Sequence, residues 1–353
     1  MVGKIKVNLI DETHSVGRGV GFYAQFLKEA LSHLPSVELT RKNPDIVHYP
    51  YFDLFYPTLP FIKKIPSIVT IHDLIPLVFP KLYPKGIRAM MALFWQRIAL
   101  GNVSAIVTDS LASKRDIVKL FNVNPKKVFV TPLSVDPVFQ EEPTPKQIAH
   151  VKAKYDLPEK FVLYVGGINP NKNLVRLAEV AEKMNLPVVF IGSEFKKTPK
   201  QTFSVKRLFG LQKTHPEIKE FQKLQAIINN TSLFKALGFV PTVELNAIYR
   251  LATMYCQPSL YEGFGLPLLE AMTAGCVIVS SNTSSLPEIY HQGALTFDPT
   301  DLNEMEEVLS KALSLTPSQK EDQIKAGKKR SLDFSWEKTA QETVRVYKQV
   351  LCR

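Results

Sequence analysis

Two glutamates eight positions apart, Glu262 and Glu270, bracket a short run of small and turn-prone residues, Gly263-Phe264-Gly265-Leu266-Pro267. Pro267 suits the first turn of a helix, where its missing N–H costs nothing. Leu268, Leu269 and Met272 then recur at helical spacing as an apolar face. A loop carrying Gly263 and Gly265 therefore delivers backbone N–H groups to the positive end of a helix. Such an end stabilises an anion by ~0.3–1 kcal/mol at the surface and up to ~2 kcal/mol when partly buried. Both carboxylates can then edge one ligand whose phosphate sits at the helix start, which reads as a nucleotide-sugar site. Upstream, Gly166-Gly167-Ile-Asn-Pro-Asn-Lys172-Asn173 joins an apolar run to another helix. Its glycines free the backbone, and Lys172 brings a point charge to whatever lies there. His72 follows the apolar run Ser67-Ile-Val-Thr-Ile71, at the strand end where open α/β sheets place their chemistry.

These residues need strands and helices to hold them, and the chain alternates the two. Residues 4–10 read as a strand, 11–21 as a polar loop and 22–31 as an amphipathic helix; Gly19 and Gly21 let the backbone approach a ligand. Strands follow at 45–48, 67–71 and 105–110. The apolar helix at 90–99 is read as core rather than as a membrane-binding face. A linker, Glu141-Glu-Pro-Thr-Pro-Lys146, precedes a second round: strands at 161–165, 188–191, 236–240 and 254–257, with helices from Leu174 and from Glu244. A last helix follows Phe334-Ser-Trp336. The fold class is α/β, with two Rossmann-like doubly wound domains at 1–150 and 151–333 and a final helical segment at 334–353. A length of 353 residues suits two domains.

No run of about 18 apolar residues occurs, so no segment reads as a membrane span, and the charged N-terminus is too short of apolar residues for a secretory leader. Three cysteines without metal or disulfide spacing fit a reducing cytoplasm. The net charge of +11 favours anionic partners such as nucleotide sugars or anionic lipid surfaces, and no nucleic-acid motif accompanies it. Six basic residues fall between Lys196 and Lys213 with no acid among them. They read as a solvated insertion, with a patch resting on a membrane or meeting an acidic acceptor as the alternative. The aromatics of Tyr49-Pro-Tyr-Phe-Asp-Leu-Phe-Tyr56 can stack on sugar rings or simply pack.

The run from Leu237-Gly-Phe-Val-Pro241 to Asp298-Pro299 resembles, in order, the retaining glycosyltransferases of family 4, and weaker matches extend over nearly the whole chain. That resemblance implies the GT-B fold: two domains facing across a cleft, with the final helix crossing back to the N-terminal domain. It implies a catalytic setting for His72, in a stretch similar to the family's Thr-Val-His-Asp-Leu, and for Glu262 beside the donor sugar. It places Glu270 at the ribose hydroxyls, Lys172 and the Leu266 helix end at the diphosphate, and Val240 by the nucleotide base. Gly19, Gly21, Gly166, Gly167, Gly263, Phe264 and Gly265 would line the donor. The chain departs from the pattern where Arg18 stands at a glycine, Phe22 at an arginine, and Gly167 at the arginine that often accompanies the lysine.

Glycosyl transfer requires stabilisation of the negative charge growing on the leaving diphosphate. The chain contains no Asp-x-Asp for a metal; a helix N-terminus with Lys172 is the physical substitute. The reading is a retaining, metal-independent transferase that needs no cofactor and moves a sugar from a nucleotide-diphosphate donor, GDP-mannose as first choice. The acceptor is a glycan or lipid-linked glycan, and peripheral contact with an anionic membrane stays open. The alternatives are a non-catalytic GT-B glycan-binding or partner subunit and a GT-B sugar-nucleotide epimerase.

Overall fold

The computed structural model describes residues 3–10, 19–196 and 216–352. Arg18 with the rest of 11–18, and 197–213 of the basic segment, lie outside the described residues. The chain forms two α/β units. The first holds the residues up to Pro80, Lys85–Ser134 and the chain from Phe334 on. Its strands are β1 (Ile5–Leu9), β2 (Val37–Leu39), β3 (Ile46–Tyr49), β4 (Ser67–Thr70), β5 (Ala105–Thr108) and β6 (Val128–Val130). They form a parallel sheet in the order β2-β1-β3-β4-β5-β6. Two helices of this unit matter below, α1 (Val20–Ser32) and α2 (Ile87–Gly101).

The second unit holds Lys81–Pro84 and Val135–Asp333. Its strands are β7 (Val162–Val165), β8 (Val188–Ile191), β9 (Phe234–Gly238), β10 (Met254–Gln257), β11 (Ile278–Ser281) and β12 (Leu295–Phe297). They form a second parallel sheet in the order β12-β11-β10-β7-β8-β9. Its helices include α3 (Leu174–Lys183), α4 (Thr242–Leu251) and α5 (Leu266–Ala274). β7 and β8 are buried along their whole length, which is why they read as unbroken apolar runs rather than alternating ones.

Each sheet reverses its strand order once, between β1 and β3 in the first unit and between β7 and β10 in the second. At such a point the connections leave neighbouring strands toward opposite faces and open a crevice beyond their C-terminal ends.

The helix Trp336–Leu351 packs in the first unit against α1. The Trp336 ring stacks on Phe26 at 5.3 Å and meets Phe22 edge-on at 5.9 Å, so Phe22 has a packing role where the resembled family carries an arginine. Deeper in, Tyr347 Oη lies 2.7 Å from His48 Nδ1, and His48 Nε2 lies 2.8 Å from Thr70 Oγ1. Tyr23 Oη is 3.0 Å from the same Thr70 oxygen. One buried chain of hydrogen bonds thus ties α1, β3, β4 and the final helix.

Two expectations need correction. Gly21 stands in the first turn of α1, not in the loop before it, because the helix already begins at Val20. The α2 stripe is not core: Met90, Met91, Phe94, Trp95 and Ile98 are exposed. The buried side carries Leu93, Gln96, Ala99 and Leu100. Gln96 decides the orientation, because its amide finds partners only inward. Nε2 donates to the carbonyls of Asp53 (2.7 Å) and Tyr56 (2.9 Å) and to Thr58 Oγ1 (2.7 Å), while Oε1 accepts from Leu59 N at 3.3 Å. The Tyr49–Tyr56 aromatics divide: Phe52 packs in the core 5.8 Å from Phe121, whereas Tyr56 is exposed.

Burial, with the neighbouring His72 charge adding to it, lowers the His48 pKa to about 3 from an ordinary 6.5. Below 6.5 the unfolded chain takes up a proton that the folded one refuses, so stability is full above 6.5 and falls as pH drops toward 3. The thermal midpoint is expected to fall between pH 7 and pH 5, and the slope to flatten in His48→Gln, as calorimetry across that range would record.

Candidate functional site

In the second unit, the loops that follow β7 and β10 meet at the switch point of the sheet. After β7 the chain turns through Gly166, whose φ is +152° and where a Cβ would stand 2.6 Å from Tyr164 Oη. Tyr164 Oη donates to the Gly167 carbonyl at 2.8 Å. The Gly167 position faces an acid instead of accommodating a second base: Glu194 Oε2 accepts from Ile168 N at 2.8 Å and would lie 3.1 Å from a Cβ at 167. A short turn, Pro170–Lys172, then leads through Asn173 (φ 61°) into α3.

After β10, Glu262 is buried together with Gly263, Phe264 and Gly265. Lys172 Nζ lies 2.8 Å from both Glu262 oxygens. Glu262 Oε1 also accepts from Gln257 Nε2 and from Ser259 Oγ, each at 2.6 Å. Asn171 fastens the same two loops: its carbonyl accepts from Leu260 N at 2.7 Å, and its Nδ2 donates to the Tyr261 carbonyl at 2.9 Å. The loop backbone is held from below by the β11 side. Glu262 N donates to Ser284 Oγ at 2.8 Å, and Ser285 Oγ reaches the carbonyls of Glu262 and Phe264 at 3.0 and 2.7 Å.

Gly265 caps α5 with φ +114°, and a Cβ there would stand 2.8 Å from Leu286 Cδ2. Leu266 opens the helix with Pro267 in its first turn. Pro267 has no N–H, and Leu268 N and Leu269 N donate to the Gly265 carbonyl at 3.0 and 3.2 Å. What this helix start offers an anion is therefore mainly its positive end, at the C-terminal end of β10, where Lys172 also stands. Glu270 lies one turn further on and is buried, its Oε2 accepting from Tyr249 Oη of α4 at 2.9 Å. Val240, just before α4, is buried, while its neighbour Phe239 is exposed. Phe264 is buried too, so what it offers toward the crevice is backbone rather than ring.

In the first unit, His72 stands beyond β4, at the same end of its sheet as the loops after β3 and β5. Its Nδ1 lies 2.7 Å from Asp109 Oδ2, and its Nε2 lies 3.3 Å from the Pro50 carbonyl. Both partners accept, so the ring fits best with a proton on each nitrogen. Burial by itself would lower the His72 pKa, but the Asp109 carboxylate, together with Asp73 and the Pro50 carbonyl, outweighs it and the net direction is up. Burial raises Asp109 in turn, with His72 opposing; its Oδ1 is buried without a hydrogen-bond partner among the described residues. Tyr23 of α1 meets the His72 ring edge-on at 4.8 Å, which brings the start of α1, with Gly19 as its N-cap and Gly21 in its first turn, into the same neighbourhood.

A family model described as "Glycosyl transferases group 1" matches residues 146–330, and one described as "Glycosyltransferase Family 4" matches residues 8–139. The chain belongs to the glycosyl transferases group 1. The O-antigen chain mannosyltransferase B of Escherichia coli is 28% identical over 290 residues, covering 80% of this chain and 70% of that protein. The serotype-specific mannosyltransferase WbdA of Escherichia coli is 28% identical over 298 residues, 81% of this chain but 34% of that protein; the chain spans about a third of that relative's length. Among solved structures, sucrose-phosphate synthase from Thermosynechococcus elongatus superposes with a TM-score of 0.71 at 17% identity, covering 99% of this chain and 100% of that one. This group 1 glycosyltransferase has the GT-B type of fold, with two parallel-sheet Rossmann-like units.

Several residues that build the candidate sites of the two units were not singled out in the sequence. Asp109, Gln257, Ser259, Tyr249 and Glu194 act through side chains that meet their partners only after folding. Asp109 had one legible signal, a lone acid at the polar end of an apolar strand. Two measurements test the geometry. In Asp109→Asn the burial of His72 is opposed only by Asp73 and the Pro50 carbonyl, and its NMR titration midpoint is expected to fall from that of the parent protein. Gly265→Ala forces a side chain into a left-handed backbone against Leu286, and is expected to cost about 1–3 kcal/mol in denaturant unfolding.

Proposed function

We propose that the protein is a retaining, metal-independent mannosyltransferase that moves mannose from GDP-mannose to a glycan or lipid-linked glycan acceptor. The observation that carries this reading is the Lys172–Glu262 pair at the switch point, beside the first turn of α5. As the bond between sugar and diphosphate breaks, negative charge grows on the phosphate oxygens. An ammonium and the positive end of a helix oppose that charge, which supports a reaction that needs no metal. Donor diphosphate competes with Glu262 for Lys172, and a carboxylate released in this way is set to hold sugar hydroxyls.

Retention through same-face departure and attack is supported by the state of Glu262. A carboxylate that accepts from Gln257 and Ser259, even when the diphosphate draws Lys172 away, has its lone pairs engaged and is a weak nucleophile. This argues against a covalent glycosyl intermediate of the kind formed with closely paired carboxylates. His72, set against Asp109, fits a hydrogen-bond donor role, and Glu270, steadied by Tyr249, an acceptor for ribose hydroxyls. The mannosyl assignment is supported by the relatives named above, and their O-antigen naming supports a glycan acceptor. The buried free thiols Cys256 and Cys276 suit a reducing cytoplasm.

Ligand binding to the folded state raises stability by about 2.7 kcal/mol at a hundredfold excess over Kd. GDP-mannose is expected to raise the thermal midpoint by several degrees with or without EDTA, UDP-, ADP- and TDP-sugars much less, and Lys172→Ala and Glu270→Ala to lose the shift. An NMR time course on a mannosyl acceptor is expected to show an α-linked product from the α-linked donor. Turnover abolished by EDTA, or an inverted linkage, would refute the corresponding part of the proposal.

A further inference from the structure

The outer face of α2 is apolar at its centre and cationic at its edges. Ile87, Met91, Phe94 and Ile98 recur at one helical stripe and are 79, 57, 59 and 46% exposed. Met90 and Trp95 widen the stripe, and Phe61 joins it from the preceding loop, its ring 5.6 Å from that of Trp95. Ile62 beside it is also exposed. At 100° per residue, Arg88 and Arg97 fall on the two edges of the stripe. Both are exposed, as is Lys64. Between Asp53 and Asp109 the sequence has six lysines and arginines and one acid, Asp73, although the whole chain carries 33 acids in 353 residues. Lys85 is held below its usual pKa by burial and then by the nearby Arg97 charge, a crowding of like charge that an anionic surface relieves.

We infer that this α2 face docks the protein on an anionic lipid bilayer, with the apolar stripe entering the headgroup boundary and Arg88, Arg97 and Lys64 meeting lipid phosphates. A contiguous apolar patch of this kind marks an interaction surface. Its Met, Phe, Trp and Ile centre with basic rims, free of acids, is the composition of a helix lying in the plane of an interface. The long arginine and lysine stems cover apolar surface while their heads stay at the headgroups. Among the described residues no helix is long and apolar enough to cross a membrane, so the contact is peripheral. The inference goes beyond the donor reading and does not rest on it, because none of these residues belongs to the donor site.

The chain has two tryptophans; Trp95 lies on the stripe, and Trp336 is buried. The test is flotation of the purified protein with vesicles of phosphatidylcholine alone or mixed with phosphatidylglycerol, with tryptophan emission recorded alongside. Binding to the anionic vesicles, with a blue shift that disappears in Trp95→Phe, is the expected result. Phe94→Asp with Ile98→Asp is expected to weaken binding by about a hundredfold or more, and Arg88→Glu by at least about fivefold. Both variants change exposed side chains, and circular dichroism checks that they fold. Absence of vesicle binding, equal binding to neutral vesicles, or a concentration-dependent dimer abolished by the same double variant would overturn the inference. GDP-mannose binding, measured separately in the same variants, keeps failure of this inference distinct from failure of the donor assignment.

Discussion

Glu262 is a carboxylate buried on a loop, and that condition organises the second unit. An ionised carboxylate leaves water only if charge and hydrogen bonds replace its hydration. Here the replacement comes from three places in the chain: Lys172 beyond β7, Gln257 at the end of β10, and Ser259 on the loop itself. Meeting that condition fixes how the ends of two strands, 90 positions apart in sequence, approach each other. Ser284 and Ser285 then fix the backbone between Glu262 and Gly265, so α5 begins where the charged pair is. A buried ion pair is weak evidence for stability, but it is demanding in geometry.

The first unit solves a related problem with weaker saturation. Asp109 is as buried as Glu262, yet one of its oxygens has no partner among the described residues, and its counter-charge is a histidine rather than a lysine. The counter-charge of Asp109 is thus a ring whose protonation depends on the groups around it, whereas Lys172 bonds both oxygens of Glu262.

Much of this was legible in the sequence. Runs such as Val162–Val165 and Val188–Ile191 announce parallel strands buried on both faces, and Gly265-Leu266-Pro267 announces a helix start. Strand–loop–helix alternation then places Lys172 and Glu262 at strand ends. The partners of those residues were hidden, because Gln257 and Ser259 carry no chemistry of their own until a carboxylate stands beside them. The α2 helix was misread for a different reason. It has apolar side chains on both faces, and periodicity alone cannot say which is covered. The decision rests with Gln96, a polar residue that goes inside because the backbone of Asp53, Tyr56 and Leu59 needs its amide.

The placement of the Trp336–Leu351 helix bears on how the chain is made. His48 and Tyr347 meet across 299 positions, and Trp336 rests on Phe26 of α1. A ribosome releases β1 to β6 long before it releases this helix, so the first unit stays incomplete while the whole second unit is being synthesised. During that interval Phe22, Phe26 and the buried His48 lack their covering partner, and contacts of such long sequence separation form slowly. The second unit, continuous apart from Lys81–Pro84, can close as soon as Asp333 emerges. The protein thus completes its latter half before its beginning, and the nascent chain offers chaperones an open apolar surface near its N-terminus until the last turn is made.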